Sequence, residues 1–220
     1  LDINVLTFDE LQCLIRGMQF VLMNYSSECY TYRYDEDAED QEKIWQRDAK
    51  EFIRKVQIPY KVLRQDSQYP YLVVNIGSGV SILKVTSPGK FERVSGTSIG
   101  GGTYWGLCRL FTRCTSFEEV LDMAENGDNK GVDMLVSDIY GKGYDQMNLK
   151  ATMVASSFGK LVMAEDPRTG LKEEDLAIAL LMMITNNIGQ VSYLNARLHN
   201  CSRIFFVGNF LRHNKISCRR

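Results

Sequence analysis

The segment from Tyr69 to Thr103 constrains the fold of this chain more than any other stretch. Tyr71 to Ile76 is an apolar run rich in β-branched residues, and its length is typical of a buried strand. The run ends at Gly77-Ser78-Gly79, and the pattern then predicts a returning strand over Val80 to Val85 and a third strand over Phe91 to Val94. The segment is therefore predicted to be an antiparallel meander whose first turn contains glycines.

Three consecutive glycines, Gly100 to Gly102, precede Thr103, and apolar residues then recur at helical spacing. Such a helix start suits an anion such as phosphate, because glycine lets the backbone approach a ligand and the first N–H groups carry partial positive charge. The alternative is that the glycines only permit tight turns. Neither a Walker A lysine nor a strict GxGxxG spacing is present, so the spacing leaves both interpretations open.

A helix is predicted to start near the beginning of the chain. Thr7 is a candidate N-cap and Glu10 follows three residues later, which is the spacing of a capping box. Apolar residues then recur at helical spacing as far as Leu22. Glu10 therefore has two possible roles. It either caps the helix or supplies a carboxylate for catalysis, and the helix pattern by itself favours the cap.

Composition limits the possible partners. The chain has 220 residues with 45% apolar residues, a formal net charge of −1 and a pI near 6.2, so nucleic acid and anionic membranes are not expected as partners. The longest fully apolar runs are too short to span a bilayer. The six cysteines form no CxxC pair and have no histidines near them, so we expect reduced thiols and no metal site.

The second half of the chain contains its longest helical pattern and a further strand. Three acidic residues at Glu173 to Asp175 open a predicted helix that continues to about Leu198. Arg203 to Val207 is predicted to be a buried strand, and it ends at Gly208. Ligands in α/β folds bind beyond the carboxyl ends of strands, so Gly208 is a candidate site residue. We expect the chain to belong to the α/β class.

Seven ordered motifs resemble those of eukaryotic-type (type II) pantothenate kinases, and the resemblance covers about residues 5 to 214. The resemblance implies the actin-like ATPase or ribonuclease H-like fold, the superfamily of acetate and sugar kinases, Hsp70 and actin. The fold is expected to be incomplete, because the family has a phosphate loop upstream of Leu1 and further segments beyond Arg220. The motifs are VVNIGSGVSI, ERVSGTSIGGGT, SFEEVLDMA, VSDIYG, VASSFG, ITNNIG and FFVGNFLR.

The same resemblance divides the chain into four parts. Residues 1–34 hold the helix with the candidate catalytic Glu10, and residues 35–68 are a variable acidic connection. Residues 69–214 form the second actin-like α/β domain, and residues 215–220 lie outside the family pattern.

The activity implied by the resemblance is ATP-dependent phosphorylation of pantothenate to 4'-phosphopantothenate, the first step of coenzyme A biosynthesis. Mg²⁺, feedback inhibition by acyl-coenzyme A, a homodimer and a cytoplasmic location are implied with it. The alternative is a catalytically inert relative that binds acyl-coenzyme A and acts as a regulatory or dimerising partner. We expect the 220 residues alone to have negligible kinase activity.

The resemblance also assigns roles to residues. Glu10, in an Asp9-Glu10-Leu11 triplet, matches the general base of the family. The resemblance therefore favours a catalytic role for Glu10 over a capping role. Arg93 matches a residue that suits stabilisation of the transferring phosphoryl group, although a lone strand arginine is otherwise more often a surface residue. Ser78, Ser81, Arg93 and Ala155 are implied to contact pantothenate or acyl-coenzyme A, whereas turn serines otherwise satisfy backbone groups. The implied nucleotide-binding residues are Gly77, Gly100, Gly101, Gly102, Thr103 and Gly208.

Overall fold

A computed structural model describes residues 6–25, 28–34, 53–58, 69–167 and 169–219. Most of the predicted acidic connection, residues 35–52 and 59–68, lies outside these ranges. The helices are α1 (Glu10–Asn24), α2 (Gly101–Phe111), α3 (Phe117–Ala124), α4 (Val136–Tyr140), α5 (Glu173–Leu198) and α6 (Lys215–Cys218). The strands are β1 (Tyr30–Tyr34), β2 (Ile53–Gln57), β3 (Tyr71–Ile76), β4 (Val80–Ser87), β5 (Lys90–Thr97), β6 (Met134–Leu135), β7 (Val154–Ser156) and β8 (Ile204–Val207).

A four-stranded mixed sheet with the order β5-β4-β3-β8 forms the centre of the fold. Strands β3, β4 and β5 are antiparallel, and β8 runs parallel to β3 with Leu72 opposite Ile204. The predicted meander and the α/β class are confirmed. Strand β3 has the predicted bounds, and β4 and β5 each extend beyond theirs, to Ser87 and Thr97.

Strand β5 contains a β-bulge that the sequence analysis did not predict. Ile82 on β4 pairs with Ser95, but the next residue, Leu83, pairs with Arg93. Val94 is therefore an extra residue on β5 between two successive pairs. Side chains alternate along a regular strand, so one inserted residue moves every later side chain to the other face of the sheet.

One face of the sheet, here called the core face, carries the main hydrophobic core. Helices α2, α3 and α5 pack on it, and its buried strand residues are at most 5% exposed. Burial of this many apolar side chains is the main favourable contribution to folding. The buried strand residues of the core face are Leu72, Val74, Ile76, Val80 and Ile82.

The opposite face, here called the α1 face, holds a smaller cluster. Ile15 of α1 is fully buried, and it belongs to one cluster with Tyr71, Val73, Leu83 and Val85. Within the described ranges α1 is the only helix that contributes to this cluster. The α1 face is therefore covered by one amphipathic helix, whereas three helices cover the core face.

Helix α1 begins two residues later than the sequence predicted. Its N-cap is Asp9, whose carboxylate accepts a hydrogen bond from Gln12 N at 2.7 Å. The predicted capping box at Thr7 is therefore wrong, and Glu10 is the first helical residue. Thr7 and Asp9 are both good caps. Leu11 and Ile15, in the first two turns of the helix, pack against the sheet.

Helix α5 has the predicted bounds and lies in the core. Its acidic first turn is tied to neighbouring segments, because Glu173 accepts a hydrogen bond from Arg113 N at 2.9 Å and Asp175 accepts one from Asp128 N at 2.6 Å. By length and composition alone α5 is apolar enough to cross a membrane. Half of its most apolar window is buried against the rest of the fold, as in the core helix of many globular proteins.

The described residues also contain two smaller sheets of two strands each. Strand β1 pairs antiparallel with β2, and β6 pairs antiparallel with β7. The sequence left Ile53–Gln57 unassigned, since its apolar residues follow no regular period. The short helix α4 ends at Gly141, which adopts a left-handed φ of 72°.

Candidate functional site

The turn between β3 and β4 is joined directly to the start of α2. Gly101 N donates to the carbonyl of Gly77 at 2.8 Å, and Gly102 N donates to the carbonyl of Ser78 at 2.9 Å. These N–H groups belong to the first turn of a helix, where no partner within the helix is available. The turn carbonyls thus satisfy two of the amide groups that an anion would otherwise use.

The glycines are needed for this close approach. A Cβ atom on Gly100 would lie 2.7 Å from the Ser78 carbonyl oxygen, and a Cβ on Gly101 would lie 2.8 Å from that of Gly77. Both separations are too short for real atoms, so any larger residue would push the turn and the helix apart. Tight packing therefore accounts for Gly100 and Gly101, and phosphate binding at these positions stays a prediction.

Gly208 brings the end of β8 to the same place. It adopts a φ of 113°, which favours glycine, and a Cβ at this position would overlap the carbonyl of Ile76 at the end of β3. Phe210, two residues later, packs against Gly101, since its Cδ2 atom is 3.1 Å from where a Gly101 Cβ would lie. We call this meeting point of the two strand ends and the α2 start the glycine end of the sheet.

The six predicted nucleotide-binding residues therefore come together at the glycine end. Thr103 is part of the same arrangement, because its hydroxyl donates to the Ser98 carbonyl at 3.0 Å and accepts from Gly100 N at 3.3 Å. The carboxyl ends of two parallel strands, β3 and β8, lie here, which is the usual place for ligands in α/β sheets. The role of these six residues in nucleotide binding stays a prediction.

Three polar side chains share the α1 face near the glycine end. Asn75 pairs with Ser81, and Leu83, two residues further along β4, pairs with Arg93. Directly paired residues project to the same face. Arg93 reaches this face only because Val94 bulges, and among the described residues its guanidinium makes no ion pair. Ser81 and Asn75 are half-buried and Arg93 is exposed.

Gln19 fixes the direction of α1 across this face. Its side chain donates to the Tyr71 hydroxyl at 3.3 Å and accepts from Gly89 N at 3.1 Å, and both partners lie at the end of the sheet opposite the glycines. Ile15, one turn nearer the helix start, is buried over the strands. The helix thus runs from the glycine end, at its N-terminus, toward the opposite end.

Glu10 consequently lies toward the glycine end, on the same side of the sheet as Ser81 and Arg93. It precedes Gln19 by nine positions, which is about 13 Å of helix. Its carboxylate is exposed and, among the described residues, has no hydrogen bond or ion pair. Because Asp9 performs the capping, Glu10 is not engaged at the helix start and is available to a ligand.

The two remaining predicted site residues, Ser78 and Ala155, lie outside the strands of the central sheet. Ser78 is exposed in the β3–β4 turn, next to the glycine end. Ala155 is exposed on β7, in the separate sheet formed with β6, so the strand pairing does not bring it to the four-stranded sheet. That small sheet is held by Asp133, which is fully buried and accepts from Asn129 at 2.6 Å and from Phe158 N at 2.9 Å. Burial raises the pKa of the Asp133 carboxyl despite these bonds.

Gly96 is a residue of this region that the sequence analysis did not single out. It pairs with Ser81 across β4 and β5, and it lies next to the guanidinium of Arg93. A glycine inside a strand often marks a bulge or a close approach, but the predicted strand ended at Val94, so this signal could be recognised only once β5 was seen to continue to Thr97.

All six cysteines are free, and burial raises the pKa of Cys108 to about 12 and the pKa values of Cys29, Cys201 and Cys218 above their usual range. In the described part of the chain, no three His, Cys, Asp or Glu side chains are grouped as metal ligands.

Comparison with known proteins places the whole chain in one family. The Fumble family model matches residues 1–220. Pantothenate kinase 2 of Arabidopsis thaliana is 45% identical over 213 residues, which is 96% of this chain and 21% of the relative. Pantothenate kinase of Schizosaccharomyces pombe is 43% identical over 216 residues, 97% of this chain and 49% of the relative.

A third relative gives the same result. Pantothenate kinase 1 of Arabidopsis thaliana is 44% identical over 205 residues, 93% of this chain and 48% of the relative. The chain thus spans between about a fifth and a half of the length of these curated relatives. The chain belongs to the Fumble family, and the curated relatives that it matches along most of its length are named pantothenate kinases.

Proposed function

We propose that this chain is part of a pantothenate kinase, which transfers the γ-phosphoryl group of ATP to the primary hydroxyl of pantothenate. The observation on which the proposal rests is the match to pantothenate kinases at 43–45% identity along nearly the whole chain. The polar groups on the α1 face support it. The Glu10 carboxylate and the Arg93 guanidinium have no ion-pair partner among the described residues, and they lie on the same side of the sheet, toward the glycine end.

In the proposed reaction the hydroxyl oxygen of pantothenate attacks the γ-phosphorus of ATP, and Glu10 accepts the proton that this hydroxyl loses. The bond between that phosphorus and the β,γ-bridging oxygen breaks, and ADP leaves with the electron pair. Arg93 donates to the oxygens on which charge develops. Ser78 and Ser81 are proposed to hold pantothenate by their hydroxyl groups, with Ala155 lining the more distant part of the ligand.

ATP is proposed to bind at the glycine end. The six residues predicted for this role converge there, although Gly101 N and Gly102 N already have carbonyl partners. Mg²⁺ supplies charge neutralisation when it is bound with ATP. Since the described residues contain no group of three metal ligands, Mg²⁺ would be held mainly by the phosphates, as is common for this ion.

The fold and assembly are further parts of the proposal. An antiparallel meander with one parallel strand added beside β3 is consistent with an actin-like ATPase fold. A homodimer through α5 is supported by three large exposed residues near its end, Tyr193, Leu194 and Leu198, which are 56%, 63% and 74% exposed. Inhibition by acyl-coenzyme A and a cytoplasmic location are proposed from the family resemblance.

The test is ATP-dependent phosphorylation of pantothenate by the product of the complete gene, with Glu10→Gln measured beside it. The variant keeps the shape of the side chain but removes the proton acceptor, so turnover should fall by about 100-fold or more while coenzyme A binding persists. Glu118→Gln is the matched control, because Glu118 is also an exposed glutamate in the first turn of a helix.

Equal turnover in the parent and in Glu10→Gln would remove Glu10 from the mechanism. A folded parent that binds acyl-coenzyme A but phosphorylates no pantothenate would contradict the proposed function itself.

A further inference from the structure

The guanidinium of Arg93 occupies the space where a side chain at position 96 would lie. A Cβ atom on Gly96 would overlap Nη2 of Arg93 and would be 3.3 Å from its Cζ. It would also be 2.6 Å from the carbonyl oxygen of Val80. Arg93 therefore extends along β5 from its own position to that of Gly96, and it can do so only because residue 96 has no side chain.

The bulge at Val94 makes this arrangement possible. Residues three apart on a regular strand project to opposite faces. Arg93 pairs with Leu83 and Gly96 pairs with Ser81, and since Leu83 and Ser81 share the α1 face, so do Arg93 and Gly96. The extra residue thus turns the arginine side chain onto the face where Gly96 leaves room, a use of β-bulges that is common beside functional sites.

The position of the guanidinium relative to Ser81 follows from the same pairing. Gly96 lies directly opposite Ser81, so a group that fills the side-chain space of Gly96 is a neighbour of the Ser81 side chain. From Leu83 to Ser81 the α1 face leads toward the glycine end. The guanidinium is therefore displaced from the position of Arg93 toward the proposed phosphates.

We propose that Gly96 is a positioning residue for Arg93. By leaving its side-chain space empty, it directs the guanidinium along β5 to a place beside Ser81. The consequence for turnover depends on the proposed kinase function, whereas the placement of the guanidinium does not. An alanine at position 96 would displace Nη2, and a long flexible side chain displaced in this way moves into solvent at little cost.

The experiment is a double-mutant cycle in the product of the complete gene, with Gly96→Ala, Arg93→Ala and the double variant compared by pantothenate turnover. We expect Gly96→Ala to lower kcat on the order of 100-fold in the parent, as loss of one transition-state donor does. In the Arg93→Ala background the same change should lower kcat by less than about threefold, because the group it displaces is already gone.

The cycle separates positioning from a general effect on the strand. The overlap with the Val80 carbonyl is present with or without Arg93, so a purely structural role would lower kcat by the same factor in both backgrounds. That result would overturn the proposal. Gly106→Ala is the control, because a Cβ at Gly106 meets nothing within 4 Å, and it should leave kcat unchanged.

Crystal structures of the parent and Gly96→Ala test the placement without any activity. We expect the guanidinium to lie against Gly96 in the parent and to leave that place in the variant. An unchanged guanidinium in the variant, or one directed into solvent in the parent, would overturn the proposal. If the parent phosphorylates no pantothenate, the kinase function fails and these two structures alone decide the role of Gly96. If Gly96→Ala does not fold, the parent structure decides it.

Discussion

The core face and the α1 face of the central sheet differ in how completely they are closed. The buried strand residues of the core face lie under α2, α3 and α5 along the whole length of β3, although Phe206 of the edge strand β8, on the same face, is 44% exposed. The α1 face carries a smaller buried apolar cluster around Ile15, and toward the glycine end it carries the polar residues Asn75, Ser81 and Arg93 beside Val207. Adjacent residues of one strand therefore face different surroundings. One face contributes to stability, and part of the other face carries the polar residues of the proposed ligand site.

Neighbouring residues of β4 test this division most directly. Ile82 is fully buried on the core face, and Ser81 is half-buried on the α1 face. We expect Ile82→Ala to lower the free energy of unfolding by about 2–5 kcal/mol, because it removes buried methyl groups and leaves a cavity. Ser81→Ala should cost less than about 0.5 kcal/mol. Urea unfolding of both variants gives the comparison, and equal losses would show that the two faces are not distinct.

Like the core face, the glycine end is closely packed, so adding an atom there should destabilise the protein. Gly101→Ala places a Cβ 2.8 Å from the Gly77 carbonyl and 3.1 Å from Phe210, so we expect a loss of about 1–3 kcal/mol in the free energy of unfolding. Gly106→Ala, in the same helix but with open space around it, should stabilise the protein by about 0.5–1 kcal/mol. Thermal unfolding of the pair is the measurement. A harmless Gly101→Ala would mean that the junction is loose.

The apolar part of the α1 face should be dry, and Tyr71 reports on it. Burial raises the pKa of Tyr71 from 10.0 to about 12. Because the folded-state pKa is the higher one, the contribution of the neutral phenol is fully present below pH 10 and is lost as the pH rises toward 12.

Tyr71→Phe removes this dependence. Below pH 10 the variant should be less stable by about 0.5–1.5 kcal/mol, because the hydrogen bond from Gln19 is lost. Between pH 10 and 12 the parent should lose stability relative to the variant. Urea unfolding across this range measures the difference. A difference that does not change with pH would indicate that water reaches Tyr71 beneath α1.

The sequence predicted the elements whose patterns are long and regular. Strand β3 and helix α5 were found with their correct bounds, because an uninterrupted apolar run and a long helical period each have few alternatives. Gly77, Gly101 and Gly208 were grouped in advance only through the family resemblance, because the sequence pattern did not predict the parallel pairing of β3 with β8 that brings them together.

Most of what the sequence missed depends on contacts between distant segments. The bulge at Val94 is defined by the pairing of β5 with β4, and no local pattern distinguishes Val94 from its neighbours. The start of α1 was missed for a local reason. Thr7 and Asp9 are both capable caps, and the spacing of Thr7 to Glu10 matched a capping box that the structure does not contain. The role of Gly96 became visible only when the pairing showed which face Arg93 occupies.

The parallel pairing of β3 with β8 also affects how this protein folds. Leu72 pairs with Ile204, so more than a hundred residues separate the two strands along the chain. Bringing β3 and β8 together therefore costs chain entropy before their hydrogen bonds form. The β3–β5 meander needs only short loops and can form first. Gly208 contacts Ile76 only after β8 has added to the sheet. We therefore expect the proposed ATP site to be among the last parts of the chain to assemble, after most of the surrounding core has formed.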